Sequence, residues 1–202
     1  MGAASGTGLE RLDRWVAGLP GGLDAYPEVQ AKGSLVRSTL EGQPVAELLA
    51  RLPPQLRRLA AEPPMGSEWV PEAHVDGLLL AIADARGMTD DELYAWTRAR
   101  NRALFESPAY RILMAVMSPA ALVRFAGGRW ANWHRGTTLE IEGMADDGVR
   151  GILRFPRGLF DARLLRVFGE AFVAALQLAS AAFPVVTVVE AGPESARYLV
   201  RW

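Results

Sequence analysis

The sequence predicts an α+β fold: an N-terminal layer of helices packed on a C-terminal four-stranded antiparallel sheet, ordered β-β-α-β-β, with one long helix across it. Three observations predict it. Between Thr137 and Trp202, Leu139 and Ile141 alternate with Glu140 and Glu142, Leu153 and Phe155 with Ile152 and Arg154, and Tyr198, Val200 and Trp202 with Arg197, Leu199 and Arg201. Period two is the mark of half-buried strands. Between the two strand pairs, Leu164, Leu165, Phe168, Phe172, Ala175, Leu176 and Ala179 recur at three and four residues, which is a helix face. Ahead of Thr137, stretches of helical spacing are separated by short breaks and no long linker divides them, so the helices are expected to pack beside the sheet.

In chain order, Met1 to Gly8 is small and polar and reads as a flexible leader. Leu9, Leu12, Trp15 and Val16 give a short amphipathic helix, ended by Gly18, Pro20, Gly21 and Gly22. Residues 1–26 are therefore expected to be a leader and helical arm. Residues 27–202 are expected to be a single domain, helical over 27–136 and sheet-bearing over 137–202. A weak helical pattern covers Ala31 to Leu40. Pro44 opens a helix carrying Val45, Leu48, Leu49 and Leu52, and Pro53-Pro54 opens the next, because proline lacks an N–H that the first turn does not use. Glu62 to Val70 reads as a loop. Val75, Leu78, Leu79, Ile82 and Ala83 predict a helix over Glu72 to Arg86, stopped by Gly87.

Thr89 and Glu92 form a capping-box pattern before a helix over Asp90 to Phe105. Ser107-Pro108 and Ser118-Pro119 announce helices over Ala109 to Met117 and over Ala120 to about Phe125. The long helix is expected from about Leu159 to Phe183 with Asp161 as its N-cap. Arg166 and Glu170 lie i, i+4 on its outer side, a pair worth a few tenths of a kcal/mol if exposed.

Composition excludes several chemistries. The 202 residues carry a formal net charge of −1, which argues against general nucleic-acid affinity, since phosphate binding needs a basic surplus. With no cysteine there is no disulfide framework, thiolate metal site or cysteine nucleophile. No apolar run approaches the roughly 20 residues that span a bilayer, and the chain is expected to be soluble and cytoplasmic. No phosphate-cradling glycine loop, dinucleotide fingerprint or G-x-S-x-G elbow occurs.

The stretch that stands out is Arg129-Trp130-Ala131-Asn132-Trp133-His134-Arg135-Gly136, which mixes apolar walls with directing polar groups. Its bland alternative is that the tryptophans are core anchors. The other histidine, His74, starts a helix near Glu72 and Asp76, where capping or surface roles are usual. No metal site is expected from two histidines without clustering. No cofactor is expected either; haem, which needs only one axial histidine, is the one that composition leaves open.

The run Trp130 to Thr137, then Gly151-Ile152-Leu153-Arg154-Phe155, Gly169-Glu170-Ala171-Phe172 and the closing Tyr198-Leu199-Val200-Arg201-Trp202 resembles a paralogous family expanded in myxobacteria. That family is similar in turn to the group holding the 4-vinyl reductase domain, the haem nitric-oxide-binding domains and the small TRAPP subunits. The resemblance implies helices against a small antiparallel sheet, with a hydrophobic pocket used for sensing or partner binding. The cysteines of some members of that group are absent here, as is the tyrosine-x-serine-x-arginine signature that holds haem propionates, so neither haem nor a catalytic residue carries over.

The expected function is a non-enzymatic sensory module that takes a small hydrophobic ligand between helices and sheet. The ligand-binding residues are expected to be Trp130, Asn132, Trp133, His134, Phe155, Phe168 and Phe172, with aromatic rings supplying contact area. Two alternatives stand beside it: a homodimeric or other protein-interaction module with its apolar surface around Trp202 and the N-terminal arm, and a cofactor-independent cyclase or isomerase using the same pocket with His134 or a buried glutamate as its acid or base.

Overall fold

The computed structural model describes residues 8–107, 117–145, 148–179 and 181–202. Residues 1–7 of the expected leader, residues 109–116 of the helix expected over Ala109 to Met117, and Asp146-Asp147 lie outside them. The fold is α+β, as expected, but the chain divides into two compact units at Thr89/Asp90. The sequence has no glycine- or proline-rich break there, so an arm of 26 residues followed by one domain was the simpler expectation.

The first unit contains α1 (Glu10–Ala17), a 3₁₀ turn at Gly22–Asp24, β1 (Gln30–Lys32), α2 (Gly33–Leu40), α3 (Val45–Leu49), α4 (Pro54–Ala61), β2 (Trp69–Pro71) and α5 (Glu72–Ala85). Strands β1 and β2 pair antiparallel, with Ala31 opposite Val70. The helix expected over Ala31 to Leu40 therefore begins at Gly33, and the expected loop ends in a strand. Three-residue strands are too short for alternation to show.

Helix α1 is no loose arm. Leu9, Leu12 and Trp15 are buried, and the helix packs on α5. Its N-cap, Leu9, has no side chain that caps, so the first N–H groups need an acceptor from elsewhere. Asp84 on α5 supplies it: Arg11 N and Leu12 N donate to Asp84 Oδ2 at 2.8 and 3.1 Å, and Arg11 Nη1 donates to Oδ1 at 2.9 Å. One carboxylate thus caps one helix from another. Helix α5 closes at Gly87, whose φ of +61° is the left-handed conformation glycine adopts at least cost.

His74 lies on α5, hydrogen-bonded to the Leu23 backbone and near Asp24. Its Nε2 is enclosed without a hydrogen-bond partner among the described residues. Burial lowers its pKa, outweighing the opposing pulls of Asp24 and of the Leu23 hydrogen bond.

The second unit contains α6 (Asp90–Glu106), α7 (Pro119–Trp130), β3 (His134–Arg135), β4 (Thr138–Ala145), β5 (Gly148–Arg154), α8 (Ala162–Leu178), β6 (Val185–Ala191) and β7 (Ser195–Arg201). The sheet runs β4-β5-β7-β6, every pair antiparallel. Register puts Leu139, Leu153 and Ala196 in one row and Val149, Val200 and Val186 in another. These rows lie on the face that α8 covers, where Tyr198 Oη donates to the Leu165 carbonyl at 2.9 Å. Ile152, expected to point outward, is buried. It sits on a central strand between Glu140 and Arg197, whose aliphatic stems flank it.

Asp161 caps α8 as expected, accepting from Leu164 N at 2.8 Å. The helix is shorter than expected at both ends. At its start, Leu159 still belongs to a turn, its N–H donating to the Pro156 carbonyl at 3.1 Å. At its end, Phe183 precedes Pro184 and stands 87% exposed. Helix α7 is longer than expected: Ser118 Oγ accepts from Ala121 N at 3.2 Å, and the helix runs through Gly127-Gly128 to Trp130. A Cβ on Gly127 would stand 2.9 Å from the Leu139 carbonyl oxygen, so glycine here permits close helix-to-strand approach rather than a stop.

Glu170 is also placed differently from expectation. It is 0% exposed; Arg98 Nε on α6 donates to its Oε2 at 2.6 Å, and Arg166 Nη2 lies 2.9 Å from Oε1. Arg163 Nε donates to Asp90 Oδ1 at 2.9 Å at the other end of the α6–α8 contact.

Replacing Asp84 by alanine is expected to lower stability by about 2 kcal/mol, because it orphans helix N–H groups and a partly buried guanidinium. Urea unfolding of D84A checks this, and a loss near zero would mean the cap is idle. The depressed His74 pKa has a definite sign: the unfolded state takes up the proton first, so stability is lost as pH falls below about 6.5. The urea midpoint is expected to decline on acidification from neutrality, with a shallower decline in H74Q.

Candidate functional site

The last turn of α7 and the tight turn after it deliver the tryptophan and histidine of the sequence motif. Asn132 N donates to the Arg129 carbonyl and Trp133 N to the Trp130 carbonyl, both at 2.9 Å. This reverses the chain within three residues and returns His134 alongside Trp130. Trp130 Nε1 donates to Thr137 Oγ1 at 2.9 Å, satisfying the indole N–H in a buried place. The His134 ring, 7% exposed, stacks on Trp130 with centroids 4.3 Å apart and planes 17° from parallel.

Helix α8 brings two phenylalanines one turn apart onto this pair. Phe168 stands edge-on to His134 at 5.5 Å and tilted against Trp130 at 5.8 Å. Phe172 lies 6.2 Å from Trp130 and meets Tyr198 edge-on at 5.5 Å. The turn after β5 adds Phe160, 4.8 Å from Phe168, and Phe155, 4.9 Å from Phe160. Offset and edge-to-face pairs of this kind contribute about 0.5–1.5 kcal/mol each beyond their burial.

Of the seven expected ligand residues, Trp130, His134, Phe155, Phe168 and Phe172 therefore fall in one contiguous cluster. The other two do not. Asn132 is exposed, and Trp133 is half-buried against Phe105, edge-on at 6.2 Å. The tight turn sends alternate residues in opposite directions, which reading the motif as a unit concealed. Tyr198 belongs to the cluster without having been expected there. Its alternation with charged neighbours marked it only as a core strand residue. Burial raises its phenol pKa, so the hydroxyl remains a donor to Leu165.

The cluster rings touch one another. A groove of about 480 Å³ lies on the opposite face of the sheet, lined by Glu142, Arg150, Val189, Arg197 and Leu199. It is paved with ion pairs: Arg197 Nε lies 3.3 Å from Glu142 Oε2 and its Nη1 binds Glu190. Among the described residues no group of three or more histidines and carboxylates could hold a metal ion, and no helix is long and apolar enough to cross a membrane.

No family model matches the sequence, and no curated protein does. Solved structures do match. An Fe(II) unliganded H-NOX protein from K. algicida is 12% identical with a TM-score of 0.59, the match covering 84% of this chain and 95% of that one. An oxygen-binding H-NOX domain related to soluble guanylate cyclases is 11% identical with a TM-score of 0.57, covering 84% and 90%. A protein solved in work on haem redox potential and porphyrin distortion is 9% identical with a TM-score of 0.59, covering 84% and 97%. At such identities the likeness is one of fold: the chain is built as H-NOX domains are.

Proposed function

We propose that the protein is a sensory module that binds a small apolar molecule at the aromatic cluster around His134, without haem. The observation that carries this reading is the convergence of Trp130, His134, Phe155, Phe160, Phe168 and Phe172, from three separated stretches of chain, into one cluster in which Trp130 and Phe168 lie against the buried His134 imidazole. A large apolar contact area with one directing polar group is the usual composition of a small-molecule site. The half-buried Phe172 is the ring that can move aside to admit a guest. The H-NOX fold supports a sensory role by analogy of architecture.

That fold also makes haem a candidate, and the described residues do not fit it. His74 Nε2 has no exposed surface among the described residues, so it presents no open coordination position. The His134 ring has Trp130 against its face and Phe168 at its side, so its surroundings are filled by side chains rather than shaped as a slot. The tyrosine-x-serine-x-arginine triplet is absent from the whole sequence.

Protein purified from haem-replete cells is expected to show no stoichiometric Soret band, and to quench its tryptophan fluorescence on titration with an apolar probe such as anilinonaphthalene sulfonate. F172A is expected to weaken that binding about tenfold and N132A to leave it unchanged. A stoichiometric haem spectrum, or binding indifferent to F172A, would overturn the reading. Phe168→Ala removes a ring with three aromatic partners and is expected to cost about 3–5 kcal/mol in chemical unfolding.

A further inference from the structure

Of the five large apolar side chains that the described residues leave exposed, three fall within seven consecutive positions: Phe183 at 87%, Val185 at 55% and Val189 at 55%. They belong to β6 and its approach, and β6 is the terminal strand of the sheet. Natural proteins blunt such edges with charges, proline or very short strands, because unpaired N–H and C=O groups recruit another strand. From Val185 to Val189 the strand itself holds no charge and no proline; Arg166 of α8 donates to the Val186 carbonyl at 3.2 Å, and Val189 is the bulged residue, which leaves the edge short but open on both sides of Thr187. It reads Val-Val-Thr-Val-Val, β-branched throughout and identical in both directions.

We infer that the outer edge of β6 pairs with the β6 of a second copy of this chain, antiparallel about a twofold axis through Thr187. A palindrome laid antiparallel on itself sets like against like: Val185 opposite Val189 of the other copy, Val186 opposite Val188, Thr187 opposite Thr187. Both exposed valines then find an apolar partner on the same face of an eight-stranded sheet, the cross-strand pairing that stabilises sheets. Val186 and Val188 continue the face covered by α8. The charges agree with this register. Arg201 lies beside Val185 on β7 and is exposed, and the axis brings it diagonally near Glu190 of the other copy, which follows Val189. Glu190 itself falls opposite Pro184 rather than opposite its own like charge.

The bulge between Val188 and Glu190 ends the regular pairing with β7 and increases local twist, which limits the contact to about five residues a side. Such a contact falls below the size of a standard stable interface. The dimer is therefore concentration-dependent, and it is independent of what the aromatic cluster binds.

Light scattering across a concentration series tests the inference. The weight-average mass is expected to rise from 21.9 kDa toward twice that value as concentration increases, as a contact below standard interface size requires. V185K/V189K sets lysine against lysine and is expected to stay monomeric. V185K/V189E sets lysine against glutamate across the axis and is expected to dimerise again. Because the chain has no cysteine, T187C gives a unique thiol at the axis. Cross-strand Cα separations of about 4.5–5.5 Å lie within disulfide range, so copper-phenanthroline oxidation is expected to link T187C into a covalent dimer and to leave V185C unlinked. A wild type monomeric at every concentration, a dimer indifferent to V185K/V189K, or linking of V185C as readily as T187C would overturn the inference. If the doubly substituted chains fail to fold, the two single-cysteine variants decide it.

Discussion

The second unit depends on enclosing one helix, α8, and the severest condition on that enclosure is a carboxylate. Glu170 has no contact with solvent, and an unpaired buried charge costs several kcal/mol. Arg98 and Arg166 meet it from α6 and from the preceding turn of α8. This ion pair fixes which face of α8 turns to α6. The faces left over are apolar, and they go to the sheet through Tyr198 and to Trp130 through Phe168 and Phe172. The aromatic cluster is where a helix oriented by its charge meets the end of α7.

Glycine at position 127 has a matching part. It lets α7 approach the Leu139 carbonyl and run to Trp130, so the indole arrives where its N–H reaches Thr137. A side chain there would push the helix off the strand and with it the ring on which His134 stacks. The cluster is thus assembled by backbone approach and buried hydrogen bonding as much as by apolar attraction. On the function proposed above, rings held this way are the surface a guest would meet.

Sheet, long helix and the Asp161 cap were legible because each element is long enough for its period to show and one face of each is covered. The convergence of Trp130, His134, Phe155, Phe168 and Phe172 was legible as a surplus of rings. Their separation from Asn132 and Trp133 was not, since that depends on a turn fixed by two backbone hydrogen bonds. Three-residue β1 and β2 gave too few residues for alternation. Burial of Glu170 was hidden because Arg166 looks the same at i, i+4 whether the pair is wet or dry, and its decisive partner Arg98 is 72 residues away. The cap of α1 by Asp84 was hidden for the same reason: capping rules are local, and this cap is not.

The Trp130 indole N–H tests the account most directly, because it reports from the centre of the cluster. Followed in a ¹H–¹⁵N spectrum and assigned by loss of its signal in W130F, it is predicted to exchange slowly with solvent in the ligand-free protein and to shift when an apolar probe binds, while the indole of Trp15 stays in place. A Trp130 indole that exchanges freely, or that keeps its position when a probe binds, would contradict the claim that this cluster is the protein's responsive site.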